Sequence, residues 1–367
     1  MNFNTLFEVD ETPRDIAVIE SFKEAGIPVV LYGAAADVAD WIVRKLSCNR
    51  IPVAAVAYDE DAPLMTASTT LLKDTETVSV KELDDRFPSY NVIPGFVKGY
   101  GAVSAIAAKF KNAKRIAYLS EIFDMELMNL SFVRENRIFL EELYENLQDW
   151  HSKDSLVAYL LSKTRQDMKY LPPVFDKNQY FPKGMFELSG HESYFDCGAF
   201  TGDTVAEFFK ATGGSYRHIW AVEPDRSNYE QLKKYVRDEE LTRIDLLNKG
   251  VYGFAGKLPF QEDGNMLSMI SESADHSVEV DTVDRIAGDD PVTYLKMDVE
   301  GVELMALKGA EQTIRRNRPL LGISIYHRKR DLIDIPGYIK EIVPEYKFYF
   351  RVHKKVAIDT VLYAIIE

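Results

Sequence analysis

The stretch from Tyr194 to Thr204 constrains the fold of this chain more than any other. In order, it contains an aromatic pair, an acid, two glycines four residues apart and a polar pair that precedes apolar residues at helical spacing: Tyr194-Phe195, Asp196, Gly198, Gly202 and Asp203-Thr204. This order is typical of a strand, a tight loop and a helix, the place where a parallel α/β sheet binds a nucleotide-like ligand. We predict a strand over 192–196 and a helix that Asp203-Thr204 caps.

Length and charge restrict the class of protein. A chain of 367 residues predicts two domains. The net charge of -14 argues against general binding to nucleic acid or anionic membranes, which requires a basic surface. Cys48 and Cys197 are too few for a disulfide framework and suit a reducing compartment. Since no secretory leader is evident and no apolar run approaches the roughly 20 residues of a membrane span, we expect a cytoplasmic protein.

The first half has the pattern of a Rossmann-like α/β unit. Apolar strands are predicted over 27–31 and 53–58, with a helix over 34–46 between them. The turn at Gly33 has one glycine where a dinucleotide fingerprint has three, so a structural module is favoured over a dinucleotide site. The alternation continues with a strand at 92–96, a helix at 102–110 and a strand at 115–119.

A helical connector is predicted next. Helices are expected over 131–149 and 152–167, with Ile138, Leu143 and Leu147 on one buried face. Prolines and glycines between 171 and 184 then indicate a boundary. The predicted domains are therefore a Rossmann-like domain at 1–123, a connector at 124–185 and a second α/β domain at 186–367.

The last domain has parallel strands closed by a hairpin. After the strand at 192–196, strands are expected at 218–222, 243–248, 292–297 and 320–326, followed by an antiparallel pair at 346–352 and 360–366. Val278 and Val280 indicate an edge or inserted strand, and Ser227 and Glu230 have capping-box spacing. This order is typical of the sheet of S-adenosylmethionine methyltransferases.

That donor matches the residues of the opening stretch. It carries a cationic sulfonium and ammonium, which Asp196 is placed to stabilise, and Gly198 and Gly202 would let the loop approach it closely. Glu223 follows the second strand, where an acid binds ribose hydroxyls. An NAD site would share Glu223 but needs a tighter glycine triplet.

Three blocks of this sequence resemble the FkbM-type methyltransferase family. They are Asp196-Cys197-Gly198-Ala199 with Gly202, Ala221-Val222-Glu223-Pro224, and Leu295 to Leu304 (LKMDVEGVEL) with Leu307-Lys308-Gly309-Ala310. The resemblance covers 186–367 and implies a class I methyltransferase fold, S-adenosylmethionine as donor and O-methylation of a sugar or another hydroxyl-bearing metabolite. The expected donor-binding residues are Asp196, Gly198, Ala199, Gly202, Asp203, Thr204, Glu223, Pro224 and Asp298. Phe200-Thr201 departs from the smaller polar pair common in the family, which changes the surface of the loop.

The candidate catalytic residues follow the fourth and fifth strands. Because methyl transfer is an in-line displacement, positioning supplies most of the rate and a base assists a hydroxyl acceptor. Asp298 and His327 are the candidates for that chemistry, and Glu300, His327 and Arg328 are the candidates for substrate contact. The alternatives are that Asp298 only caps the next helix and that His327 lies in a solvated loop. A metal site formed by Asp298, Glu300 and His327 is an alternative, but no pair of these ligands has diagnostic spacing, so no metal site is predicted.

Three further points stay open. The basic run 328–330 could receive an anionic substrate such as a nucleotide-linked sugar. Asp281, Asp284 and Ser268 are weaker candidates for the site, with turn or loop roles as alternatives. The chain could instead be an NAD-dependent or nucleotide-sugar-modifying enzyme that uses its first half, or a non-catalytic cofactor-binding protein; its assembly is open between a monomer and a homodimer.

Overall fold

The computed structural model describes residues 1–8, 12–60, 70–96, 106–119, 126–261, 269–270, 276–356 and 358–366. Within them the chain forms two sheets with parallel strands and a third, smaller sheet. None of the helices in these ranges combines the length and the apolar character that crossing a membrane requires.

The first sheet has five parallel strands in the order β3-β2-β1-β4-β5. Its strands are β1 (Val29–Tyr32), β2 (Val53–Tyr58), β3 (Glu76–Ser79), β4 (Tyr90–Pro94) and β5 (Ala113–Ile116). The predicted Rossmann-like alternation is confirmed. The edge strand β3 was not predicted, because its first two residues are exposed and polar. Of the helix expected at 102–110, residues 102–105 lie outside the described residues; within 106–110 only residues 106 and 107 are helical.

The helices of the first half and the connector are α1 (Arg14–Ala25), α2 (Ala36–Cys48), α3 (Val80–Arg86), α4 (Leu130–Glu135), α5 (Arg137–Asn146) and α6 (Trp150–Arg165). The single helix predicted over 131–149 is wrong, because the chain breaks at Asn136 between α4 and α5. The break changes which face of α5 is buried: Leu140 and Leu143 lie in the core, whereas Ile138 is 86% exposed. Ile138 was therefore assigned wrongly to the buried face.

The second sheet has seven strands in the order β15-β16-β14-β13-β6-β7-β8. Its strands are β6 (Ser193–Cys197), β7 (His218–Val222), β8 (Ile244–Leu247), β13 (Tyr294–Met297), β14 (Leu320–Ser324), β15 (Lys347–Val352) and β16 (Thr360–Ile365). Five strands are parallel and the last two form an antiparallel hairpin, with β16 antiparallel to β14. The predicted sheet closed by a hairpin is confirmed.

The third sheet is an insertion after β8. Its order is β11-β10-β12-β9, formed by β9 (Gly250–Val251), β10 (Gly256–Gln261), β11 (Met269–Ile270) and β12 (His276–Asp281). Val278 and Val280, for which an edge or inserted strand was predicted, thus lie in a separate sheet paired mainly with β10. Ser268 lies outside the described residues.

The helices of the last part are α7 (Asp203–Ala211), α8 (Arg226–Asp238), α9 (Val283–Ala287), α10 (Glu303–Lys308), α11 (Glu311–Asn317) and α12 (Asp331–Ile342). Two predicted caps are wrong. Helix α7 begins at Asp203 with Gly202 as its N-cap, in a left-handed conformation that frees Thr204 for another bond. Helix α8 is capped by Asp225, whose carboxylate accepts from the Asn228 N–H, rather than by a capping box at Ser227 and Glu230.

The amino-terminal residues pack far from the first sheet. A short 3₁₀ helix, Phe3–Leu6, buries Phe3 and Leu6 in the same apolar cluster as α6 and the second sheet. Helix α6 in turn contacts β15, where the Ser152 hydroxyl accepts from the Phe350 N–H at 3.0 Å. The connector and the first residues thus share a core with the last domain.

Candidate active site

A cavity lies at the carboxyl edge of the second sheet, where the loops after β6, β7 and β13 meet. It is also lined by residues of the third sheet and by the segments before β6 and before β16. Its lining residues include Gly198, Phe200, Asp203, Thr204, Glu223, Pro224, Asn228, Phe260, Val278, Lys296, Asp298, Glu300, Lys354 and Asp359. Parallel strands place their carboxyl ends together, which is where α/β sheets bind ligands. Of the predicted donor-binding residues, Asp196, Ala199 and Gly202 are outside the lining.

The glycines of the first loop are required by the packing of the protein itself. Gly198 has φ of +80°, and its N–H donates to the Val222 carbonyl at 2.9 Å. A Cβ on Gly198 would overlap the carbonyl oxygen of Asp298, and one on Gly202 would lie 2.8 Å from the Tyr235 ring. Both glycines were expected to let a ligand approach closely. In the structure Gly198 allows close packing against the loop at Asp298, and Gly202 allows close packing against helix α8.

Asp196 lies outside the cavity and binds Lys296. The two residues are register partners on β6 and β13, and Lys296 Nζ lies 3.0 Å from Asp196 Oδ1. The Thr204 hydroxyl donates to the other carboxylate oxygen at 2.5 Å. Burial raises the pKa of Asp196, and Lys296 and Thr204 offset part of that effect. The direct contact expected between Asp196 and a cationic ligand is therefore replaced by a buried ion pair, of which Lys296 reaches the cavity.

Glu223 presents a buried carboxylate to the cavity. It is 5% exposed, and its two oxygens accept from the N–H groups of Phe200 and Asp225, each at 2.9 Å. Burial raises its pKa to about 7, although those N–H groups favour the ionised form. These bonds leave lone pairs on both oxygens, so the carboxylate is fixed in position and still able to accept from a ligand.

Asp298 lines the cavity beside Tyr180. The Tyr180 hydroxyl donates to Asp298 Oδ2 at 2.8 Å and lies 2.9 Å from the Ser324 hydroxyl. Tyr180 belongs to the predicted connector, not to the last domain, and nothing in its sequence context indicated a role here. The Tyr180 hydroxyl thus fixes the orientation of the Asp298 carboxylate.

His327 is buried among three carboxylates. It is 1% exposed, and its Nδ1 lies 2.8 Å from Glu303 Oε1, while its Nε2 lies 3.3 Å from Glu300 Oε2 and 3.6 Å from Asp298 Oδ1. Burial alone would lower the pKa of His327, but Glu303 and Glu300 outweigh it and hold that pKa well above the usual range. A histidine held protonated is a poor general base. His327 also lies outside the cavity lining, so the geometry does not support the predicted role of base.

The other predicted substrate residues divide between the cavity and the surface. Glu300 lines the cavity, whereas Arg328 is exposed and outside its lining. Arg330 pairs with Asp334 on the surface at 2.8 Å. The described side chains of the basic run therefore do not face the cavity.

Several residues of the site were not predicted. Lys296, Tyr180, Asn228, Lys354 and Asp359 all line the cavity. Lys296 had a usable signal, since a lysine inside a buried parallel strand requires a partner. Asp281 and Asp284 have structural roles: Asp281 pairs with Arg285, and Asp284 accepts from the N–H groups that begin α11.

Asp298, Glu300 and His327 form a group that could hold a metal ion. One ligand atom from each lies within 4.8 Å of the other two. These are the three residues named as an alternative metal site from the sequence; their spacing was not diagnostic, because they come from two segments that the pairing of β13 with β14 brings together.

The equivalent edge of the first sheet is occupied by the protein's own side chains. Asp59, the acid after β2, accepts from the Tyr32 hydroxyl at 2.5 Å and from Lys109 at 2.5 Å. A Cβ on Gly33 would lie 2.9 Å from the Phe96 ring. The described contacts at this edge are therefore between groups of the chain itself.

Comparison with known proteins relates the chain to methyltransferases. Residues 196–348 match the family described as the methyltransferase FkbM domain. The crystal structure of methyltransferase FkbM from Methylobacillus flagellatus KT aligns with 99% of this chain and 98% of that one, at 22% identity and a TM-score of 0.73. The whole chain therefore shares the fold of that protein, and its second sheet is a class I methyltransferase sheet. A comparison with curated proteins gave no match.

Other solved structures align with about half of the chain. An rRNA methylase from Streptococcus thermophilus covers 49% of this chain and 90% of its own, at 13% identity and a TM-score of 0.33. Aeropyrum pernix fibrillarin, solved with S-adenosyl-L-methionine, covers 50% and 71%, at 14% identity and a TM-score of 0.32. These scores are too low to support inferences about this chain.

Proposed function

We propose that this chain, whose residues 196–348 match the methyltransferase FkbM domain, transfers a methyl group from S-adenosylmethionine to a hydroxyl group of a small metabolite. One observation carries the proposal: Glu223 lies buried and fixed in the cavity at the carboxyl edge of the domain's sheet.

The residues of the cavity suit this donor. Glu223 would accept from the ribose hydroxyls, and the loop that contains Gly198 would form the surface beside it. Carboxylates outnumber lysines among the described lining residues: Asp203, Glu223, Asp298, Glu300 and Asp359, against Lys296 and Lys354. An acidic cavity favours a cationic ligand. When bound, the donor would supply an electrophilic methyl group on its sulfonium.

The acceptor would lie beside Asp298. This carboxylate accepts a hydrogen bond from Tyr180 and lines the cavity. It could take the proton of an acceptor hydroxyl as that hydroxyl attacks the methyl group. His327, being buried, would position Glu300 and Asp298 rather than take the proton itself. Apolar neighbours at Val299 and Val302 would limit water around the reacting atoms.

The same geometry supports a hydroxyl compound as the proposed acceptor. A hydroxyl requires a nearby carboxylate as proton acceptor, which Asp298 supplies, and a sugar or similar polyol would bind the polar groups around it. The exposed position of Arg328 gives no support to the expected contact between the basic run and an anionic substrate.

Calorimetry with two ligands tests the proposal. S-adenosylhomocysteine should bind the full chain, and Glu223→Ala should weaken that binding strongly, whereas NAD should give no heat. Binding of NAD alone would show that the first sheet holds the ligand, and binding of neither would refute the proposed enzyme. Mass spectrometry of a cell extract incubated with methyl-labelled donor and the protein would then identify the acceptor as a hydroxyl compound or refute that class.

A further inference from the structure

Beside the proposed donor site, the turn after β13 and the segment after β14 bring three side chains to one point. Asp298 and Glu300 come from the turn, and His327 comes from the segment after the neighbouring strand. Glu300 has φ of +55° and Gly301 has φ of +92°, and this left-handed turn places both carboxylates on the side of the imidazole.

Among the described residues, four buried side-chain atoms at this point lack a hydrogen bond: His327 Nδ1, His327 Nε2, Asp298 Oδ1 and Glu303 Oε2. Nε2 lies 3.3 Å from Glu300 Oε2 and 3.6 Å from Asp298 Oδ1, and the whole histidine is 1% exposed. Two ligand atoms about 2.1 Å from a shared metal ion at angles near 100–120° are roughly 3.2–3.6 Å apart. The observed separations fit that arrangement.

Charge supports a cation at the same point. Asp298, Glu300 and Glu303 are three carboxylates around one imidazole; Glu303 is buried, and the side chains of Asp298 and Glu300 are 20% and 23% exposed at the cavity. Lys296, which also lines the cavity, is paired with Asp196. Excess negative charge in a low dielectric is costly, and a dication would offset it.

Glu303 completes the arrangement behind the ring. Its Oε1 lies 2.8 Å from His327 Nδ1 and also accepts from the Val299 N–H at 3.0 Å. A carboxylate on the far nitrogen is the usual partner of a metal-binding histidine, because it directs the other nitrogen to the ion.

We propose that Asp298, Glu300 and His327 bind a divalent cation at the wall of the cavity, with the ion taking the place of the proton on His327 Nε2. One imidazole and two carboxylates suit an ion such as Mn²⁺ or Zn²⁺, with the remaining positions open to water or to an acceptor oxygen. This inference rests on the proposed function in one respect: a bound ion would lower the pKa of an acceptor hydroxyl and so ease the loss of its proton.

Titration of chelator-treated full-length protein with MnCl₂ and, separately, with ZnCl₂ tests the site. With at least one of the two ions, calorimetry should show one ion bound per chain, and Glu300→Gln and His327→Ala should each weaken it by at least roughly tenfold. Asp245→Asn is the matched control, since it removes the carboxylate of another histidine pair, 3.1 Å from His218, and should leave the affinity unchanged. Glu300 is partly exposed, so its variant remains informative if His327→Ala fails to fold.

The outcomes separate this site from the proposed function. Absence of binding by both ions, or binding that Glu300→Gln leaves unaltered, overturns the metal site. The same samples are titrated with S-adenosylhomocysteine. Donor-product binding without metal binding rejects the site alone, whereas metal binding without donor-product binding supports the site and rejects the methyltransferase proposal.

Discussion

At the scale of single residues, the pair of Asp196 and Lys296 connects stability to the cavity. Asp196 is wholly buried, and Lys296 Nζ also donates to the Gly198 carbonyl at 2.5 Å. Lys296 therefore links the loop after β6, at Gly198, to β13, the strand that precedes the turn at 298–301. A change at Asp196 should act on folding first and on the ligand second.

Asp196→Ala should lower the free energy of unfolding by about 3–5 kcal/mol, because it leaves a charged lysine buried without its partner. The double variant Asp196→Ala/Lys296→Met should recover part of that loss. Urea unfolding of the three proteins measures both effects. If the double variant is no more stable than Asp196→Ala, an unpaired buried lysine does not explain the loss of stability.

Glu223 should make donor binding depend on pH. Its pKa is raised to about 7 by burial, with Lys296 lowering it and Asp225 raising it further. The ionised carboxylate accepts from hydroxyls, so affinity for S-adenosylhomocysteine should fall by roughly tenfold per unit of pH below 7 and level off above it. Glu223→Gln should bind more weakly and lose this dependence, as calorimetry across pH 5.5–8.5 would show. A wild-type affinity that is constant over this range would contradict the role.

At the scale of secondary-structure elements, the loop at Gly198 packs so closely against the turn after β13 that a side chain at this position does not fit. Gly198→Ala should cost about 1–2 kcal/mol for the left-handed backbone and more for its overlap with the Asp298 carbonyl. It should also displace the turn at 298–301 and weaken donor binding. Gly213→Ala is the control: Gly213 has φ of +60° with open space around it, so only the backbone cost applies. Equal stability of the two variants in urea would contradict the packing argument.

Sequence patterns predicted elements better than their ends and contacts. Strand β2 is a continuous apolar run, Val53–Tyr58, and its bounds were predicted correctly. The start of α7 was not, since the left-handed Gly202 takes the N-cap position that a polar side chain usually occupies. The contact of Glu303 with His327 joins the start of α10 to the segment after β14, 24 residues further along the chain, and no local period encodes such a contact. Sequence motifs thus predicted Glu223 and Asp298 at the cavity edge, but not their partners Phe200 and Tyr180.

At the scale of the whole molecule, the two ends of the chain share one core. Leu6 is fully buried in the cluster that contains α6 and the second sheet. Leu6→Ala should therefore destabilise the methyltransferase domain by about 2–5 kcal/mol, although it lies 190 residues before Asp196. The urea concentration at which S-adenosylhomocysteine binding is lost measures this effect. Ile16→Ala is the control: Ile16 is 41% exposed, so this change should alter the free energy of unfolding by less than about 0.5 kcal/mol.

A Leu6→Ala variant as stable as the wild type would indicate that the first residues do not belong to the core of the last domain. A loss of stability would confirm that deleting residues 1–123 also deletes part of that core. Experiments on the site should therefore use the full chain.

A crystal structure of the full chain with S-adenosylhomocysteine tests the central claim most directly. The ribose hydroxyls should lie within hydrogen-bonding distance of Glu223, with the rest of the ligand along the loop that contains Gly198 and Thr204. A ligand bound instead at the edge of the first sheet, beside Gly33 and Asp59, would contradict the assignment of the active site.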